Sequence, residues 1–165
     1  MKLRKLEEKD ADKMLEWMHD KSVVKCLPTD FMHKNIDDCI EFINATSADS
    51  LHFAIADDIT DEYMGTVSLK HIYETEAEFA IAIRNCAMGK GYSKQAMHEM
   101  IEYGFNNLGL KKIYWCVSPD NKRAIRFYDK NGYAHCNANE LTIKGQYSKE
   151  EINSYCWYKK TKGSS

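Results

Sequence analysis

The chain has 165 residues, with 23 Lys plus Arg against 25 Asp plus Glu and a formal net charge of −2 at pH 7. With 44% apolar residues but only eight Gly and two Pro, it has the makings of one globular domain rather than a disordered or fibrous chain. The near-neutral balance argues against a dedicated nucleic-acid or membrane-surface binder, no apolar run is long enough to span a bilayer, and no C-x-x-C pair or zinc-finger spacing points to a metal.

The opening residues Met1-Lys2-Leu3-Arg4 run straight into charge without a signal-peptide core, so a cytoplasmic protein with reduced cysteines is expected. Met1–Leu6 reads as a short strand. Asp10 is placed to cap a helix carrying Ala11, Met14, Leu15 and Met18 at three-and-four spacing, and Pro28 breaks the chain after it. A second helix over 35–44 puts Ile36, Cys39, Ile40 and Ile43 on one face. Strand signals follow: Leu51–Ala56, a polar turn through Asp57-Asp58, then Tyr63–Tyr73, and Ala77–Ile83 with Phe79, Ile81 and Ile83 pointing one way. A helix over 91–108 buries Ala96, Met97, Met100, Ile101 and Phe105 and stops at Gly109. Lys112–Val117 is an apolar strand, Asn121 caps a helix that Gly132 ends, and Tyr133–Asn137 and Ser154–Lys160 are late strands. The order describes an α+β domain over 1–160, with a frayed tail at 161–165.

Two constellations carry chemistry. The turn Met88-Gly89-Lys90-Gly91-Tyr92-Ser93 lies between a strand and a helix. Closely spaced glycines let backbone approach a bulky anion, and a helix start offers unpaired N–H groups with a positive dipole end, so a pyrophosphate fits. It is neither a Walker loop nor a dinucleotide fingerprint, because Lys94 stands where the latter needs a third glycine. About thirty residues on, Asn121 and Tyr128 lie two helical turns apart on one face, with small Ala124 between them. By themselves these are equally an Asn cap and a core tyrosine.

Together the two patterns resemble the GNAT N-acetyltransferase family. Its members carry an [RQ]-x-x-G-x-[GA] pyrophosphate loop, here Cys86-Ala87-Met88-Gly89-Lys90-Gly91, and a later N-x-x-A-x-x-x-Y with G-[FY], here Asn121, Ala124, Tyr128 and Gly132-Tyr133. Leu15-Glu16-Trp17 looks most like the branch of ribosomal-protein N-terminal and nucleotide-amino-sugar acetyltransferases. The resemblance implies the acyl-CoA N-acyltransferase (GNAT) fold. That fold is a mixed, twisted sheet of six to seven strands flanked by about four helices, with splayed central strands.

It also implies acetyl-CoA as acyl donor, no metal, and an amine-bearing acceptor. The cofactor set is Ile81, Ala82 and Ile83 on the strand edge, Met88, Gly89, Lys90, Gly91, Tyr92 and Ser93 in the loop, and Asn121, Ala124 and Tyr128. An amine would attack the thioester directly in a ternary complex, a backbone N–H near Ile81–Ile83 would steady the oxyanion, and Tyr128 would protonate or hydrogen-bond the departing sulfur. Glu78 is the candidate base, with Glu76, His71, His52 or a water chain as alternatives. Cys86 departs from the family's Arg or Gln, leaving Arg84, Lys90 or Lys94 to supply charge. It also sits where a covalent route is conceivable. The acceptor, whether a protein N-terminus, an amino sugar or a small amine, would be set by residues 21–34, 63–73 and 137–155. The first two are favoured. A homodimer through the late strands is common in such folds. The reading from another class is a non-catalytic acyl-CoA-binding module.

Overall fold

A computed structural model of the chain describes residues 1–141 and 146–163. Its centre is one seven-stranded mixed sheet in the order β1-β2-β3-β4-β5-β7-β6. β1 (Lys2–Arg4), β2 (Leu51–Ala56), β3 (Tyr63–Tyr73) and β4 (Glu76–Ile83) form an antiparallel meander. β4 crosses over through a helix to the parallel strand β5 (Lys112–Val117). On β5's far side lies β7 (Cys156–Thr161), which carries the two-residue strand β6 (Ala134–His135) at the edge.

Strands β4 and β5 stay together only briefly. Their ladder holds Glu76↔Lys112, Ala77↔Ile113 and Glu78↔Tyr114 and goes no further. Beyond it each strand follows its outer neighbour: β4 stays paired to β3 as far as Gly65↔Ile83, and β5 to β7 as far as Val117↔Cys156. Sheet twist then carries the two apart. Gly65 permits the close end of the β3–β4 pair, because a Cβ there would stand 2.6 Å from the Ala82 carbonyl oxygen.

Six α-helices are present among the described residues: α1 (Ala11–Met18), α2 (Lys21–Val24), α3 (Ile36–Asn44), α4 (Tyr92–Asn107), α5 (Lys122–Lys130) and α6 (Lys149–Ser154). On one face of the sheet, α4 buries Ala96, Met97, Met100, Ile101 and Phe105 with Leu69, Phe79, Ile113 and Trp115. On the other, Met14, Trp17, Met18 and Cys39 of α1 and α3 close over Ala54 and Tyr63. Tyr114, Leu141, Ile152 and Trp157 make a third cluster under α6.

Strands β2, β3 and β5 span the residues expected from the sequence, and Asn35 caps α3 by accepting from the Asp38 N–H at 2.9 Å. Four expectations change. The helix count rises from about four to six, because α2 and α6 are short segments started by Asp20 and Ser148 caps. The strand expected at Tyr133–Asn137 shrinks to β6, since Tyr133 turns its ring onto Trp115 at 5.1 Å and Asn137 starts a one-turn helix. Asp10 does not cap α1 with its side chain. That carboxylate instead receives Arg4 through two bonds of 2.8 Å. The tail begins later than residue 161, since Thr161 pairs with Lys112 and the Lys162 N–H reaches the Lys111 carbonyl at 2.9 Å. Residues 164–165 of that tail lie outside the described residues.

Candidate active site

A cleft of about 510 Å³ opens where β4 and β5 part. At roughly 3.3 Å per residue, the β4 edge from Glu78 to Ile83 gives it a floor on the order of 16 Å long. Ile81, Ala82 and Ile83 line it, and beyond the parting no strand among the described residues pairs with β4 on that side. An unpaired strand edge presents backbone N–H and C=O groups ready to pair with an extended amide chain.

The loop after β4 closes one end. Gly89 and Gly91 adopt φ of +77° and +83°, the left-handed region that side chains disfavour. Gly91 is the N-cap of the sixteen-residue α4, and no side chain caps that helix. Its first N–H groups and positive dipole end are thus open to an anion. Met88, Gly89, Gly91, Tyr92 and Ser93 line the cleft, whereas Lys90 does not, so of the expected loop residues Lys90 alone points its side chain elsewhere.

Positive charge at the loop comes from Lys94 and Arg123, both lining the cleft. Arg123 Nη1 lies 3.9 Å from Met88 Sδ. Arg84, one of the expected substitutes for the missing loop Arg or Gln, is taken elsewhere. It is 8% exposed, donates to Glu16 at 2.6 and 3.1 Å and to the Tyr63 carbonyl at 3.1 Å, and so ties α1 to the sheet. Cys86 stands exposed in the one-turn helix Asn85–Ala87 and is not among the cleft residues, which removes the geometric basis for a covalent route through it.

Helix α5 forms the opposite wall. Asn121 Oδ1 accepts from the Ala124 N–H at 3.2 Å, so the cap and binding readings are compatible: the oxygen caps and the amide N–H donors remain for a ligand. Two turns on, the Tyr128 ring packs against Tyr158 at 5.0 Å and Trp115 at 5.6 Å. Tyr128 lines the cleft, and its hydroxyl has no hydrogen-bond partner among the described residues. Burial, with Cys116 and Tyr133 adding to it, pushes the Tyr128 phenol well above its ordinary value. It is therefore a protonated donor throughout the neutral range.

The acceptor side holds Glu78, which faces away from Phe79 as alternation requires and is only 2% exposed. Tyr147 donates to its two carboxylate oxygens at 2.7 and 2.9 Å, His71 Nδ1 lies 2.8 Å away, and Lys70 Nζ stands at 3.9 Å. Val23, Leu27, Pro28, Cys116 and Tyr155 also line the cleft. Burial first, and then the negative Glu78, push the Cys116 thiol up to about 12. Of the other basic candidates, His52 is occupied by Ser68 at 2.6 Å and by the Phe42 ring at 4.5 Å. Part of the expected acceptor segment, residues 142–145, lies outside the described residues.

The acetyltransferase (GNAT) domain family matches residues 1–134 of this chain. The chain belongs to the GNAT acetyltransferase family. It is 32% identical over 130 residues to the uncharacterized N-acetyltransferase p20 of Bacillus licheniformis, covering 75% of this chain and 73% of that protein. It is 36% identical over 83 residues to the spermidine N(1)-acetyltransferase of Escherichia coli K12, a match spanning 49% of this chain and 44% of that one. Among solved structures, the spermidine N-acetyltransferase of Vibrio cholerae in complex with CoA and spermine superposes with a TM-score of 0.79 at 23% identity. The match covers 97% of this chain and 94% of that one, and it shows the same fold. The chain is thus an N-acetyltransferase, while the finer placement in the ribosomal-protein and amino-sugar branch is not what these relatives return. The residues behind that placement do structural work: Glu16 holds Arg84, and Trp17 donates to the Tyr63 hydroxyl at 2.9 Å.

Proposed function

We propose that this N-acetyltransferase moves the acetyl group of acetyl-CoA to a primary amine of the polyamine class, by direct attack within a ternary complex. One observation carries the reading. The cleft between β4 and β5 has an open helix N-terminus at one end and, at the parting of the strands, an unpartnered Tyr128 hydroxyl and a buried Glu78 carboxylate. Pyrophosphate would sit on the amides of residues 88–93 with Lys94 and Arg123 nearby. The pantetheine arm would pair with the β4 edge and with Asn121.

The chemistry balances as follows. The amine nitrogen attacks the thioester carbonyl carbon, its proton passes to Glu78 directly or through water, and a β4 backbone N–H near Ile81–Ile83 holds the oxyanion. The C–S bond breaks and the departing sulfur takes the Tyr128 hydroxyl proton. A phenol raised above ~10 is too weak an acid for a free thiolate of pKa ~8.5. The burial that raises the Cys116 thiol acts in the same direction on a sulfur leaving in the same cleft, which narrows the gap.

A polyamine is supported by the spermidine N(1)-acetyltransferase relatives and by the cleft lining, in which Val23, Leu27 and Pro28 suit a methylene stem and Glu78 suits an ammonium. This displaces the protein N-terminus and amino sugar favoured from sequence. Thiol release from acetyl-CoA is to be measured with spermidine, spermine, an amino sugar and a peptide with a free N-terminus. Turnover with the polyamines at least tenfold above the others is expected. Equal or greater turnover with the peptide or sugar would overturn the acceptor assignment, and no turnover with any amine would favour the non-catalytic reading.

A further inference from the structure

His71 lies outside the cleft, behind Glu78. The β3–β4 ladder runs in register to Lys70↔Glu78, then slips and resumes at Tyr73↔Glu76. His71 occupies the slip with φ of +53°, a backbone conformation that residues other than Gly seldom adopt and that recurs where a side chain must be re-aimed. Here it is aimed at Glu78: Nδ1 stands 2.8 Å from Oε1, and the ring meets Tyr147 edge-on at 5.7 Å. A carboxylate can only accept, so Nδ1 carries the hydrogen.

We propose that His71 is a positioning residue for the acetyl transfer, holding with Tyr147 the Glu78 carboxylate turned toward the acceptor ammonium. The proposal rests on the reading of Glu78 as the acceptor-side carboxylate. Its force comes from a competitor. Lys70 also lines the cleft, with Nζ 3.9 Å from Oε2 of Glu78. That is already the outer edge of ion-pair range, and the bonds from His71 and Tyr147 keep the carboxylate from closing further onto the ammonium, which would cancel the charge meant for the substrate. The other titratable neighbours are Cys116, whose thiol stays protonated, and Asp49, which faces His71.

Left-handed backbone makes the test clean. His71→Gly suits φ of +53° and removes the donor, whereas His71→Asn tolerates the same backbone and returns an amide N–H near the Nδ1 position. Steady-state kinetics use spermidine and, as a stripped primary amine, butylamine, with acetyl-CoA affinity read by calorimetry. Loss of one hydrogen bond to a charged group predicts about a 10- to 100-fold drop in kcat/KM for the amine in His71→Gly. Acetyl-CoA affinity should stay within about twofold, and His71→Asn should regain most of the loss. Wild-type kcat/KM in His71→Gly while Glu78→Gln is crippled, or His71→Asn no better than His71→Gly, would overturn the role of His71 alone. Wild-type rates in Glu78→Gln would instead remove the reading of Glu78, and the proposal with it.

Discussion

Tyr128→Phe removes one oxygen from a ring that the structure holds by its faces. The contacts to Tyr158 at 5.0 Å, Trp115 at 5.6 Å and Phe127 at 5.5 Å do not involve the hydroxyl, and no described residue bonds it. The hydroxyl has no protein partner to lose, so its removal should be neutral or stabilising by up to about 1 kcal/mol. For a domain of this size that means a melting temperature unchanged or raised by roughly 2–4 °C. Catalysis should respond in the opposite sense. A positioned acid contributes about 10²- to 10⁴-fold, or roughly 2.7–5.4 kcal/mol of barrier. Thiol release with acetyl-CoA and spermidine, thermal denaturation and calorimetric CoA affinity together separate the effects. The expected pattern is a large fall in kcat with stability and CoA affinity preserved. Turnover within about twofold of wild type would refute the acid role, and a melting temperature several degrees lower would show that the hydroxyl has a partner.

Three further outcomes follow from the geometry. In Gly65→Ala the new Cβ meets the Ala82 carbonyl oxygen at 2.6 Å and Ile83 at 2.8 Å, so β4 must shift; a loss of about 1–3 kcal/mol and weaker CoA binding are expected, read by melting temperature and calorimetry. Arg123→Ala should weaken CoA binding severalfold and Lys90→Ala should leave it unchanged, because only the former lines the cleft. Asp61 is held well below the usual carboxylate range by Lys9, then Lys2 and Arg4. A depressed carboxylate contributes stability above its unfolded value near 3.9 and loses it as pH falls through the folded value, so the melting temperature should fall more steeply below about pH 4 in wild type than in Asp61→Asn.

Much of this molecule was legible because its signals are local. Alternation sets β2, extended and apolar β-branched runs set β3 and β5, and paired glycines before an apolar helix mark the loop at 88–93. The parting of β4 from β5 was expected only from family resemblance, since no pattern within a single strand says where its ladder with another will stop. Charge partners were misread for the same reason. Arg84, Lys90 and Lys94 are all near the loop in sequence, but only the folded chain shows Arg84 committed to Glu16, Lys90 outside the cleft lining, and Arg123, some thirty residues on, within it. Ser148 and Glu151 form a capping box that signals α6, a cue overlooked within a polar stretch. His71 and Tyr147 carried no usable signal, because their meeting on Glu78 depends on a register slip and on a segment 69 residues beyond Glu78 in the chain.

The claim beneath every other is that the gap between β4 and β5 receives the acyl donor. Calorimetric titration of the wild-type protein with acetyl-CoA and with CoA tests it most directly. Binding of both at micromolar concentration, with one site per chain and weakened by Arg123→Ala, is the predicted result. No heat of binding at millimolar ligand would contradict it, leaving the cleft without a donor and the chemistry at Tyr128 and Glu78 without a thioester to act on.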